Sequence, residues 1–152
     1  MAGPAAKSRL LMPIAHVTMA RMTSRAANFC FDAADPYAQM MWWSQVLGDY
    51  HLEENDPSRP GDEEAGLIGP NNTFLLFLKV PEEKTIKNRV HFCLRSTDLS
   101  RDEEVDRILG LGATMVDDRR QPDRGWAVLA DPEGNEFCVL LSDQELAARE
   151  NA

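Results

Sequence analysis

A chain of 152 residues, 43% of them hydrophobic, fits one domain and is long enough to bury an ordinary core. Its net charge of −9 argues against a nucleic-acid backbone or an anionic membrane as partner, and no run approaches the roughly 20 apolar residues of a membrane-crossing helix. Three well-separated cysteines, Cys30, Cys93 and Cys138, with no CxxC pair and no secretory signal, suit a reducing cytoplasm and leave at least one thiol free.

Residues 1–24 are basic, rich in small residues and free of acids, so all of the excess negative charge falls further along the chain. Pro4 and Pro13 interrupt any long amphipathic helix, and the segment reads as an N-terminal arm or an over-long start rather than a transit peptide. A regular pattern begins at residue 25. Ala27–Asp32 alternates as a strand with Phe29 and Phe31 on one face. A helix follows, with Asp35 as its cap, Pro36 at its first position and Leu47-Gly48 at its end. Met40, Trp43 and Leu47 form its apolar stripe, and Trp42 flanks it. Short strands are predicted at Tyr50–Glu53 and Ala65–Ile68, then a more buried one at Phe74–Leu78.

The same order recurs: a strand over Arg89–Arg95, a helix opened by the capping box Ser100/Glu103 and closed by Leu111-Gly112, and strands at Thr114–Val116, Trp126–Leu129 and Glu136–Leu141. Sixty-three residues separate Asp35 from Asp98 and Asn72 from Asn135, and 64 separate Gly48 from Gly112, the signature of an internal repeat. The expected architecture is α+β: two βαβββ modules, about 25–80 and 88–143, in a domain spanning 25–143. Residues 144–152 are read as a C-terminal tail. Each helix covers one side of its sheet, and the bare sides together are expected to form a cup where a small molecule can bind.

The two-residue strand period sends Val90, Phe92 and Leu94 toward the second helix and His91, Cys93 and Arg95 into the cup. Glu136, Cys138 and Leu140 face inward on the last strand. Repeat equivalence adds Asn28, Cys30 and Asp32 on the first strand and Thr73, Leu75 and Phe77 on the fourth. Zinc accepts histidine nitrogen and cysteine sulfur, so the group invites a metal reading; buried cysteines also serve as small hydrophobes without any ligand role. Without metal, His91 is the candidate general acid or base. Asn88 and Arg89 are candidates for holding a polar or anionic ligand group, and Trp126 offers aromatic surface for a flat one. Lys79, Lys84 and Lys87 make a basic stretch that could edge an anion site or stay solvated.

The strings Phe31-Asp32-Ala33-Ala34-Asp35-Pro36, Trp42-Trp43, Leu47-Gly48, Lys87-Asn88-Arg89-Val90-His91, Gly112-Ala113-Thr114 and Trp126 through Cys138, with its Asp131-Pro132-Glu133-Gly134-Asn135 turn, resemble the glyoxalase-like branch of the glyoxalase / bleomycin-resistance / extradiol-dioxygenase (vicinal oxygen chelate) superfamily. That resemblance implies the paired-module fold and a homodimer. It also implies metal-ligand positions on the first, fourth, fifth and eighth strands, which match Asn28, Leu75, His91 and Cys138. Only His91 is a usual ligand there. The expectation is a domain that binds a small molecule through Asn28, Cys30, Asn88, Arg89, Cys93, Trp126, Glu136 and Cys138, without the usual catalytic metal or other cofactor. The alternative is a metal-dependent lyase, isomerase or dioxygenase, with zinc held by His91 and Cys138 and helped by Cys30 or Cys93.

Overall fold

The structure is a computed structural model and describes residues 26–150. The expected N-terminal arm lies outside the described residues. Among the described residues, eight strands and three α-helices run in the order β1 (Asn28–Ala33), α1 (Pro36–Val46), β2 (His51–Leu52), β3 (Glu64–Ile68), β4 (Phe74–Lys79), β5 (Cys93–Leu94), α2 (Arg101–Gly110), β6 (Thr114–Asp118), β7 (Ala127–Ala130), β8 (Glu136–Val139) and α3 (Asp143–Glu150). They build two four-stranded sheets of matching topology, β1-β4-β3-β2 and β5-β8-β7-β6. In each, the first strand is parallel to the last and the others are antiparallel, so the two βαβββ units are repeats in space as well as in sequence. The segment read as a tail is largely helical, forming α3.

Local chemistry explains the helix ends. The Asp35 carboxylate accepts from the Ala38 N–H at 3.0 Å, and Pro36 fills the first turn. At α2 the Ser100 and Glu103 side chains each accept the other residue's backbone N–H, the full capping box. Gly112 adopts φ +103 just past α2, as a left-handed terminator must.

Trp43, 1% exposed, sits where the modules meet. Its ring packs edge-on against Phe137 of β8 and against Phe92, with centroids at 5.2 and 5.7 Å, and lies 6.1 Å from Phe31 of β1. Its indole N–H donates to Asp131 Oδ2 at 3.2 Å, while Trp42 donates to the Leu111 carbonyl at 2.9 Å. The second module also caps both ends of α1. Glu133 accepts the N–H groups of Ala34 and Asp35 at its start, and Arg107 donates to the Gln45 and Val46 carbonyls at its end. A carboxylate at the N-terminus and a guanidinium at the C-terminus both complement the helix dipole.

Three expectations need correction. The strand predicted over Arg89–Arg95 shrinks to Cys93–Leu94, because the chain joins the β8 ladder only where Phe92 O accepts from Cys138 N–H. Val90 is therefore 80% exposed instead of packed on the second helix, and Phe92 packs on Trp43 of the first helix. Leu75 and Phe77 face the core, at 0% and 1% exposure, and the open face of β4 carries Phe74, Leu76 and Leu78 instead. Gly48 does not take a left-handed conformation; α1 ends at an extended Leu47.

Candidate functional site

The chain between the modules, residues 80–92, runs beside β1 and leaves a groove of about 710 Å³ lined by Cys30, Asp32, Lys87, Asn88, Arg89 and His91 among others. A clasp holds this segment in place. The Asn88 N–H donates to Glu136 at 3.0 Å, the Asn88 amide donates to Asn135 at 3.1 Å, and Lys84 pairs with Glu136 at 3.0 Å. Burial alone would raise the Glu136 pKa, but the Asn88 N–H and the Lys84 ammonium prevail and hold it down to about 2. Asn88 and Glu136, both read as ligand-binding, thus spend their polar groups on each other. Lys87 and Arg89 are exposed and form no ion pair among the described residues.

His91, itself exposed, also lines the groove. Cys93 and Cys138 are Cα partners in the parallel β5–β8 pair, so their side chains project from the same face as neighbours. His91 precedes Cys93 by two residues, and the donor atoms of all three lie within 4.8 Å of one another. Cys138 is buried at 6% exposure, whereas His91 and Cys93 are open. Burial first, and then the adjacent Cys93 thiol, pushes the Cys138 pKa up to about 11.

Val128 is the β7 partner of Cys138, and Trp126, two residues earlier, falls on the same face by alternation. Its ring is 38% exposed with the Arg119 guanidinium 5.8 Å from the centroid, and Asp117 pairs with Arg119 at 2.5 Å. The turn carrying Arg119 and Trp126 is anchored from within. Arg101, 2% exposed, donates to the carbonyls of Gln121, Arg124 and Gly125. Gly125 has φ +80, and a Cβ there would stand 2.0 Å from the Arg119 carbonyl oxygen, so only glycine closes the turn.

Sequence reasoning missed Arg101 and Arg119. A signal existed for Arg101: a cation in the first turn of a helix opposes the dipole, which asks for an overriding reason. Of the nine residues singled out, His91, Cys93 and Cys138 converge; Cys30, Asn88, Arg89 and His91 share the groove; Trp126 lies along the β7 face. Asn28 is not brought to this site. It lines a separate hollow of about 410 Å³ with Glu64, Ile68, Phe74 and Leu76 on the open face of the first sheet.

The ligand positions implied for a hard, oxygen-preferring ion do not fit one. Asn28 lines a different hollow from His91, Leu75 is in the core, and its open-face neighbour Leu76 has no donor atom. The nearby carboxylate, Glu136, is held by Lys84 and Asn88.

A family model described as Glyoxalase-like domain matches residues 28–140. Among solved structures, the chain is similar to a glyoxalase/bleomycin resistance protein/dioxygenase family enzyme from Burkholderia phytofirmans PsJN, with 22% identity, a TM-score of 0.58, and coverage of 77% of this chain and 98% of that one. It is also similar to the fosfomycin resistance protein FosX from Mesorhizobium loti, at 15% identity and TM-score 0.57, over 86% of this chain and 100% of that one. TioX from Micromonospora sp. ML1 is similar at 18% identity and TM-score 0.53, over 78% and 98%. No curated protein sequence matches significantly. Likeness at these identities shows the fold alone.

Proposed function

The chain belongs to the glyoxalase-like domain family, and from that premise we propose that it binds a small molecule with an apolar body and an anionic group in the groove between β1 and residues 80–92. The observation that carries this reading is the groove's lining. Phe29, Ile86 and Val90, all large apolar side chains exposed by 44% or more, border it together with the unpaired cations Lys87 and Arg89. Its volume lies within the roughly 300–1,000 Å³ usual for small-molecule sites. Asp32, Glu82 and Glu83 line it as well, which suits a ligand carrying a hydrogen-bond donor beside its anionic group. His91 also lines the groove and would serve as its general acid or base if chemistry accompanies binding.

Binding in this groove needs no hard divalent ion, and a metal-dependent lyase, isomerase or dioxygenase of the inherited kind would lack its carboxylate ligand. A homodimer and a cytoplasmic setting belong to the same proposal; exposed Met115 and Val116 on the edge strand β6 give a second copy apolar surface to cover. Native mass spectrometry of wild type and of Lys87→Glu/Arg89→Glu against a metabolite panel tests it. The expected result is a retained anionic mass that the charge-reversed variant loses. Retention of cationic metabolites only, or retention unchanged in the variant, would refute the reading.

A further inference from the structure

We infer that His91, Cys93 and Cys138 form a three-ligand site for a thiophilic ion, Zn²⁺, which keeps two of the positions that the family resemblance implies, His91 and Cys138, and replaces the other two with Cys93. The inference goes beyond the groove reading and does not rest on it. Its basis is register. Cys93 and Cys138 are direct partners across the parallel β5–β8 pair, and His91 reaches the same face two residues before Cys93. Cys93 occupies none of the four strand positions that the resemblance assigns to metal, so this donor set is a property of this chain.

The dimensions suit the ion. Around tetrahedral zinc, with Zn–S about 2.3 Å and Zn–N about 2.0 Å, neighbouring donors stand about 3.5–3.8 Å apart. The three donor atoms already lie within 4.8 Å of one another, and two of the side chains, His91 and Cys93, are exposed and free to close the remaining distance. Both cysteines are free thiols. Cys138 is held in place by the Cys138 N–H donating to Phe92 O at 2.8 Å, and its other neighbours on β8, Phe137 and Val139, are buried in the core. That gives the site one rigid ligand and two adaptable ones.

Two sulfurs and one imidazole nitrogen form a soft set that favours zinc over magnesium, calcium or manganese. Glu136 cannot serve as a fourth protein ligand while Lys84 and Asn88 hold its carboxylate. The fourth position would therefore stay open, the pattern of zinc sites that exchange water or an exogenous ligand. Because His91 also lines the groove, a bound ion would border it.

The test is titration of reduced, untagged protein with Co²⁺, read by absorption, followed by displacement with Zn²⁺. Wild type is expected to show one equivalent of tetrahedral Co²⁺ with a thiolate-to-metal charge-transfer band that zinc abolishes. Cys93→Ser and Cys138→Ala should each lose that band, and Cys30→Ser should keep it. Circular dichroism verifies that each variant is folded, and a zinc-dependent rise in melting temperature, present in wild type and absent in Cys93→Ser, gives a second readout. A folded wild type with no thiolate band, a band that survives in Cys93→Ser, or a band that Cys30→Ser removes would overturn the assignment. Ligand retention in the groove by metal-free protein is measured separately, so the two proposals stand or fall independently.

Discussion

Replacing Trp43 by Phe tests whether the two modules are joined through one buried hydrogen bond. The substitution keeps an aromatic ring among Phe31, Phe92 and Phe137 but deletes the indole N–H that donates to Asp131 Oδ2. A hydrogen bond to a charged partner contributes about 1.5–3 kcal/mol, and the unfilled space beside a smaller ring adds roughly 1 kcal/mol. The expected loss is therefore about 3 kcal/mol, a large part of the roughly 5–15 kcal/mol that holds a domain folded. Asp131→Asn keeps an acceptor for the Glu133 and Asn135 N–H groups but weakens the reception of the indole. Urea unfolding followed by circular dichroism, on wild type, both single variants and the double variant, gives the coupling directly. The expected coupling is about 1–2 kcal/mol, within a single transition, because Trp43 belongs to one module and Asp131 to the other. A cost for Trp43→Phe below about 1 kcal/mol, or coupling within the roughly 0.3–0.5 kcal/mol of simple additivity, would refute the reasoning.

Arg101→Met removes the buried guanidinium that gathers three carbonyls beneath the Arg119–Trp126 turn; it should cost about 2–4 kcal/mol and make Trp126 more accessible to acrylamide quenching. Unchanged quenching would show that the turn holds without it. Gly125→Ala must move the chain away from the Arg119 carbonyl and strain a positive φ, so the turn should reorganise at a cost of at least about 1–3 kcal/mol, visible as a lower urea midpoint. The Glu136 clasp has a pH signature: its folded pKa of about 2 lies below the ordinary carboxyl value of 4.5, so its contribution is full above 4.5 and disappears as pH falls through about 2. The Asn88 amide resonance should titrate in that low window, and a midpoint near 4.5 would show that the clasp is not formed.

How the site emerged, and where sequence reading slipped, comes down to register. Capping residues, the strand-helix order and the 63-residue repeat were legible because each rests on local chemistry: Asp35 with Pro36, and Ser100 with Glu103. The fourth strand was not. Matching Asn72 to Asn135 equates Leu75 with Cys138, yet Asn72 stands two residues before its strand and Asn135 only one before its own. The difference lies in the turns, where Asn71 and Asn72 both take positive φ within a short 3₁₀ turn while the second module uses Gly134 alone. A shift of one residue exchanges the two faces of a strand, and Phe-Leu-Leu-Phe-Leu is apolar on both, so alternation gave no warning. The pairing itself corrects it: Cys30 lies beside Leu76 as Cys93 lies beside Cys138. The absence of a hard-metal ligand survives the correction, since leucine at either position has no donor atom. The thiol pair depends on it entirely. Cys93 and Cys138 are 45 residues apart with no spacing motif between them, and only the parallel register of a two-residue strand makes them neighbours. Asn88 and Glu136, prominent as polar residues near the site, turned out to fasten the strand that creates that register.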